Sequence, residues 1–307
     1  MQAGDIPTYP EGRDLQITDF HHIVPLLKEH PLKISDYNFT NIFAWRIANK
    51  YKVSLLDNMI ITFGKFRDDG PFFFPPIGDP KRAADTVHKI FEFHKDSNNR
   101  PFLAFASKHL AQELDKNPLI KIVPDRNNWD YVYKSSDLAE LPGQKYHAKR
   151  NLIKQFETTY SATVEELTTS TCLEAIEYSD RWCEQRDCDS DEGLERERCA
   201  IYQMLSHFEA LRLNGILVRI NGEIHGLTMG ERLNPDTYVI HVEKGDQHVK
   251  GIYQFLNREI SLAVAHKYPW INREEDLGIN GLRRAKTSYH PDHFIEKYKV
   301  THLNSKD

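Results

Sequence analysis

The chain has 307 residues, 40% of them apolar and 28% charged, with a formal net charge of −5. That is enough polypeptide for about two domains with cores of their own, without disulfides or metals to staple them. The composition argues against a disordered chain and against a protein that coats nucleic acid with its whole surface. No apolar stretch reaches the roughly 18 residues of a membrane span, and residues 1–14 are polar and hold Pro7 and Pro10. A soluble cytoplasmic protein, or one peripheral to a membrane, is expected. Cys172, Cys183, Cys188 and Cys199 form no CxxC pair and read as reduced thiols on helices. A zinc site joining them to His207 fits no common spacing, so no metal is expected.

In chain order, Ile17–Lys28 has a short helical pattern, and Tyr37–Trp45 is an aromatic-rich stretch with apolar residues at helical spacing. Strands are predicted over Lys52–Leu56, Met59–Lys65 and Phe72–Pro76, with Asp57-Asn58 as the first hairpin turn. A helix over Lys81–Lys95 follows, carrying Ala84, Val87, Ile90 and Phe91 on one face. Next come a strand at Phe102–Ala106, a helix at Lys108–Lys116, and strands near Ile120–Val123 and Trp129–Tyr133. The second half repeats this order. Ile216–Ile220 and Glu223–Glu231 meet at Asn221-Gly222, a two-residue hairpin signal. Thr237–Val242 is the third strand, Gly245–Gly251 a polar loop, and Ile252–His266 the long helix. A strand near Trp270–Asn272 and a short helix near Leu282–Ala285 complete the series. Both halves thus read as three strands, loop, helix, strand, helix, strand, a repeat of element order without residue identity. Between them lie a basic segment, Tyr146–Tyr160, and a helical, acid-rich region, Cys172–Leu213, whose run Asp187–Arg198 reads as solvated. The expected division is residues 1–140, a basic helix and helical connector at 141–214 that packs with the second domain, and residues 215–307 with the chemistry.

A strand that ends in a glycine-containing turn before a helix offers free N–H groups and a helix dipole to an anion. Gln247, His248, Lys250 and Gly251 are therefore candidates for binding a donor's phosphates, with Arg283 downstream. Gly251 would let a phosphate approach the backbone. An ordinary strand-to-helix connection explains the loop equally well. On an alternating strand His241 and Glu243 share one face, with Tyr238, Ile240 and Val242 on the other. An imidazole or carboxylate there, or Asp276, could deprotonate an attacking amine, unless each is merely a solvated strand end or a helix cap. Lys286 and Tyr289 sit three apart after a short helix, suited to stabilising or protonating a leaving group. In Gly143–Phe156 four basic residues meet no acid, and like charges stand at helical i,i+4 spacing. Lys145, Lys149, Arg150 and Asn151 are read either as a solvated face or as contacts to an anionic substrate.

The blocks Phe39–Trp45, Lys145–Asn151, Asn272–Gly278 and Gly281–Pro291 together resemble the phosphatidylglycerol lysyltransferase C-terminal domain family, in its stand-alone members. The resemblance spans nearly the whole chain. It implies an α/β (α+β) protein of two tandem GNAT-like domains, each a mixed central sheet flanked by helices, related to the Fem-type aminoacyltransferases. It also implies a transferase that takes an aminoacyl group from aminoacyl-tRNA, or an acyl group from acyl-CoA, to an amine, lipid or hydroxyl acceptor, with no tightly bound cofactor. The Gly281-Leu282-x-x-x-Lys286 pattern is similar to one that brings a lysine near the reacting ester in Fem-type enzymes. The GNAT loop for coenzyme A is Gln/Arg-x-x-Gly-x-Gly/Ala, whereas Gln247–Gly251 has one glycine a residue late and lacks the second. A non-catalytic binding protein that keeps the fold is the rival reading.

Overall fold

A computed structural model describes residues 6–31, 33–66, 70–186 and 188–303 of the chain. Asp187, the first residue of the acid-rich run, lies outside them. The chain divides into two compact units, residues 1–129 with 295–307, and residues 130–294. No helix among the described residues is long and apolar enough to cross a membrane.

The first unit begins with β1 (Arg13–Asp14), α1 (Phe20–Glu29), α2 (Phe39–Ala44) and α3 (Arg46–Asn49). A meander follows: β2 (Lys52–Leu56), β3 (Met59–Phe66) and β4 (Gly70–Phe73). Asp57 and Asn58 both take positive φ, as the tight turn between β2 and β3 demands. Asp79 caps α4 (Pro80–Phe93) by accepting the Lys81 N–H, and Pro80 opens the helix where its missing N–H costs nothing. Then come β5 (Phe102–Ser107), α5 (Lys108–Leu114) and β6 (Ile120–Pro124).

The second unit holds β7 (Asp130–Lys134), α6 (Ser135–Glu140), α7 (His147–Thr159), β8 (Ala162–Glu166), α8 (Cys172–Glu184) and α9 (Glu192–Ser206). Its meander is β9 (Asn214–Ile220), β10 (Glu223–Asn234) and β11 (Thr237–Gly245), followed by α10 (Ile252–Ala265), β12 (Trp270–Asn272), α11 (Asn280–Thr287) and β13 (His293–Ile295). The final strand, β14 (Lys297–His302), returns to the first unit.

Among the described residues each sheet has seven strands, in the orders β1-β2-β3-β4-β5-β14-β6 and β13-β7-β12-β11-β10-β9-β8. The internal repeat is visible in the pairing. In both units an antiparallel meander ends on one parallel neighbour, β4 with β5 and β11 with β12. In both, the next strand comes from the other end of the sequence: β14 lies beside β5, and β7 beside β12. The expected boundary at 140 and the expected end at 307 therefore differ from the units observed, while residues 141–214 fall in the second unit, with which they were expected to pack. Residues 130–140 pack with the second unit, and the tail supplies a strand to the first.

Val87, Ile90 and Phe91 of α4 pack on Ile61, Phe73, Leu103 and Val300 in the first core. In the second, Ile252, Phe255, Leu256 and Ile260 of α10 pack on Val218, Tyr238 and Ile240 of the sheet, with Ile153 and Phe156 of α7 alongside. The expectation of four reduced cysteines is corrected. Cys188 lies 5.2 Å from Cys183 between Cα atoms, and the two form a disulfide, while Cys172 is a buried thiol.

Candidate active site

β11 and β12 pair only over Thr237–Val239 with Trp270–Asn272. Beyond that point the two parallel strands part, and the edge of β11 carries on to Gly245. Polar side chains fill the opening. Glu243 on β11 accepts two bonds from Nη2 of Arg273, at 2.9 and 3.1 Å, and one from Asn257 of α10 at 3.3 Å. The Arg273 guanidinium lies over the Tyr289 ring at 4.8 Å and the Tyr133 ring at 5.7 Å. Lys149 of α7 lies over the same Tyr289 ring at 4.1 Å and donates to Ser288 at 2.7 Å. Burial, reinforced by the Arg273 charge, lowers the pKa of Lys149.

Around this pair stand three buried polar atoms without a protein partner: Nη1 of Arg273, Oδ1 of Asn257 and Oγ1 of Thr228. Thr228 lies directly opposite Glu243 on β10. An orphaned buried donor or acceptor costs about 1–3 kcal/mol, so three beside one carboxylate call for water or a ligand atom. The Glu243 carboxylate also fixes the amide of Asn257, since its Nδ2 must face the acid and its Oδ1 then points away.

Lys286 is buried, and its ammonium donates to the carbonyl oxygens of Arg273 and Glu275. Burial lowers its pKa, with nearby Glu275 working in the opposite sense. Tyr133 donates to the Lys286 carbonyl at 2.8 Å, and Tyr146 to that of Tyr289 at 2.9 Å. Burial raises the pKa of the Tyr289 phenol, which stays protonated. Glu243, Lys286 and Tyr289 are thus brought to one region, together with Lys149.

The other candidates are placed differently. A register shift between Met229 and Gly230 interrupts the β10–β11 ladder. Glu243 consequently shares the α10 side with Tyr238 and Ile240, while His241 contacts Glu231 and Glu274. The expected shared face of His241 and Glu243 does not survive the bulge. The buried His241 ring has Nε2 3.1 Å from Glu231 and Nδ1 2.8 Å from Glu274. Burial alone would lower its pKa, but the two carboxylates prevail and push it up to about 9. An imidazolium held at both nitrogens has no lone pair with which to act as a base at neutral pH. Asp276 is no base either. It accepts from Arg283 at 2.7 and 2.8 Å, from the Tyr131 hydroxyl at 2.6 Å and from the Gly278 N–H at 2.8 Å. Burial opposes ionisation, yet these donors outweigh it and hold the carboxyl well below the usual range. Arg283 is committed to that pair.

The loop expected to bind phosphate is arranged around an acid. Asp246 accepts the His248 N–H at 2.9 Å and contacts His225 at 3.1 Å, while its carbonyl accepts the Val249 N–H. Gly251 has φ +89°, and a Cβ there would lie 2.5 Å from the Leu152 carbonyl oxygen of α7. Its glycine lets α7 approach, where the expectation had a phosphate approaching. Gln247 and His248 contact each other at 3.4 Å, and Lys250 is exposed. On α7, Lys145 pairs with Asp137 at 3.3 Å, Arg150 binds the carbonyls of Leu141 and Gly143, and Asn151 contacts His147 at 3.0 Å. Of the four candidates named there, Lys149 is the one that reaches the cluster.

Arg273, Asn257, Thr228, Glu231 and Glu274 were not singled out from the sequence. Arg273 stood in the Asn272–Gly278 block that carries the family resemblance, with no role given to it. The usable signal was its place one residue past a buried strand, where an arginine beside the sheet needs an acid.

The family model of the phosphatidylglycerol lysyltransferase C-terminal region matches residues 28–301. The chain belongs to that family. A conserved protein of unknown function from Bacteroides thetaiotaomicron shares 30% identity and a TM-score of 0.85, over 94% of this chain and 98% of its own. FemX superposes with a TM-score of 0.57 at 9% identity, covering 96% of this chain and 98% of FemX. A tandem GNAT protein from the clavulanic acid biosynthesis pathway gives 0.50 at 10%, over 97% and 99%. Comparison with curated proteins gives no match. The fold is the tandem GNAT fold, and family and fold together support an acyltransferase of the GNAT/Fem type.

Proposed function

We propose that this lysyltransferase-family chain transfers an aminoacyl group from aminoacyl-tRNA to an amine or hydroxyl acceptor where β11 and β12 part. The observation that carries the choice of donor is the state of the Gly245–Gly251 loop. A coenzyme A pyrophosphate would meet the Asp246 carboxylate, and α7 backbone already occupies the space at Gly251. A donor whose phosphates lie elsewhere suits this geometry better.

In this reading the acceptor N–H or O–H attacks the ester carbonyl carbon. Glu243 takes the acceptor's proton, being the expected base whose carboxylate lies in the opening, paired with Arg273 and Asn257. The developing oxyanion is met by Nη1 of Arg273 and by the third proton of the Lys286 ammonium, whose other two bind carbonyls. The ester C–O bond then breaks, and the ribose oxygen leaves with a proton supplied by the Tyr289 hydroxyl, which regains one from Glu243 or water. The test is tRNA charged with labelled amino acids, incubated with the protein and hydroxylamine as acceptor. Labelled hydroxamate should form faster than in a protein-free control, and calorimetry with coenzyme A should show no saturable heat. Saturable coenzyme A binding with no hydroxamate would sink the proposal.

The rival reading is a binding protein that keeps the fold without turnover. One observation favours it: Lys286, Asp276 and Arg150 are all bonded to groups of the protein itself. Charged tRNA that binds but is never discharged would support it.

A further inference from the structure

We infer that the first unit carries a binding pocket for the phosphate group of a small molecule, at the end of its sheet where β5 begins and β14 finishes. A cavity of about 450 Å³ is lined there by the turn after α4, the start of β5 and the end of β14. That lies within the size range of small-molecule sites, roughly 300–1,000 Å³, and is too small for a folded partner. Arg100 is the fixed point. Its Nη2 donates to the Lys95 carbonyl, and its Nη1 lies 3.4 Å from both the Leu303 carbonyl and His302 Nδ1. Those contacts leave some of its N–H donors over, and the Nε among them is buried with no partner. Lys299 is placed as firmly. Its ammonium lies 3.9 Å from the centre of the Phe102 ring, a cation–π contact that keeps the long side chain against the sheet.

Charge selects the ligand. Lys95, Arg100 and Lys299 line the cavity with His302, against one lining acid, Asp96, in a chain of net charge −5. Lys95 is shared with Glu92 at 2.5 Å, an exposed pair of little strength that a doubly charged anion can replace. Lys121 of β6 stands opposite Thr301, so a further cation shares that face of the sheet. The hydroxyls of Ser97 and Thr301 supply neutral donors. A carboxylate offers two oxygens in one plane, whereas a phosphate offers several in a tetrahedral array. Cations fixed on different elements, with hydroxyl donors between them in the lining, match the phosphate. A purely structural Arg100 accounts for its carbonyl contacts but not for the unpartnered Nε or for Lys299 in the same cavity.

In equilibrium dialysis the full chain should bind labelled inorganic pyrophosphate saturably, and acetate at equal ionic strength should not displace it. Lys299→Met keeps the stem on Phe102 and removes the charge, so it should weaken binding about tenfold. Arg100→Lys keeps the charge but not the fork and should weaken it as much. Because Arg100 also ties down two carbonyls, its variant is read only if the melting temperature is unchanged; Lys299→Met decides otherwise. Lys89→Met, on α4 outside the cavity, should bind like wild type. Wild-type protein without saturable binding overturns the inference, and so does Lys299→Met binding as tightly as wild type. RNA phosphates have the same chemistry, so uncharged tRNA is the second arm. Its affinity should be equal for wild type and Lys299→Met; a parallel loss would give the pocket to the RNA backbone and overturn the small-ligand assignment. No acyl donor is present in the assay, so failure of the transfer reading, which concerns the second unit, leaves this result standing.

Discussion

The same architectural gap occurs twice in this protein, filled in opposite ways. In the first unit β4 and β5 pair over Phe72–Phe73 with Phe102–Leu103 and then part. Their opening holds Phe74, which lies 5.7 Å from the ring of Phe105 and 5.2 Å from that of Tyr51. Tyr37 closes it by donating to the carbonyls of Pro75 and Pro76 at 2.6 and 2.7 Å. In the second unit the corresponding opening holds Glu243, Arg273, Asn257 and Lys149. The first opening is thus filled with aromatic rings, with the buried Lys297–Asp36 pair beside Phe105, and the second with ionic groups. Aromatic filling stabilises a fold and offers no chemistry. The polar filling brings charge, hydrogen-bonding capacity and unpartnered atoms to a place where a reacting carbonyl could lie.

Breaking the comparison at its strongest point means removing Lys286. Lys286→Met keeps the bulk but loses the ammonium, and hydroxamate formation should drop by about 10²–10³-fold, the usual consequence of losing one oxyanion donor. Phe74→Ala, at the matching gap of the first unit, should leave the rate per folded molecule unchanged. Equal losses in both would mean that the polar gap has no special role.

Stability should separate the gaps next. Arg273→Leu leaves Glu243 buried without its partner and should cost about 3–5 kcal/mol in urea unfolding. The double variant with Glu243→Leu should recover most of that, since replacing both partners removes the stranded charge. Phe74→Ala should cost a similar ~3–5 kcal/mol through the cavity it leaves, but no second substitution nearby has a charge to rescue. Failure of Glu243→Leu to rescue Arg273→Leu would show that the pair is not the source of the cost.

The third contrast is with pH. His241 has its pKa raised from 6.5 to about 9 by Glu231 and Glu274. A group with a raised folded-state pKa contributes stability that is complete below its unfolded value and lost as pH climbs through the folded one. The second unit should therefore weaken between about pH 6.5 and pH 9 by ~3 kcal/mol, to order of magnitude. His241→Gln should flatten that dependence. A wild-type pH profile already flat over this window would remove the imidazolium from the account.

Much of this scaffold is legible in the sequence. Apolar alternation and the turn pairs Asp57-Asn58 and Asn221-Gly222 place both meanders, and α4 and α10 follow from their apolar faces. The site is harder because its residues break local rules. β14 reads Lys-Tyr-Lys-Val-Thr-His, with a fully buried Lys297 that pairs with Asp36. No pattern of apolar residues announces such a strand. The bulge at His241 likewise cannot be read from alternation, because one extra residue moves Glu243 to the other face. The disulfide escaped for a related reason, since five-residue spacing says nothing of the turn that closes it. Lys286 and Tyr289 stood out by their spacing after a short helix, Lys286 through the family pattern as well; Arg273 did not, because its partner is 30 residues earlier.

The smallest contrast concerns how the two long helices begin. α4 starts at Asp79, an exposed cap, and Asp79→Ala should cost about 1 kcal/mol. α10 starts at Gly251, where φ is +89° and a side chain would strike the Leu152 carbonyl of α7. Gly251→Ala adds backbone strain of about 1–2 kcal/mol to that collision, so it should exceed the Asp79 loss by a clear margin in the same unfolding experiment. Gly143 provides the control: it too has positive φ, at 73°, but nothing lies within 4 Å of its would-be Cβ, so Gly143→Ala should show the strain alone. If Gly251→Ala were no worse than Gly143→Ala, α7 would not be seated against the start of α10. The loop would then be open to an anion after all, and the argument against a coenzyme A donor would lose its footing.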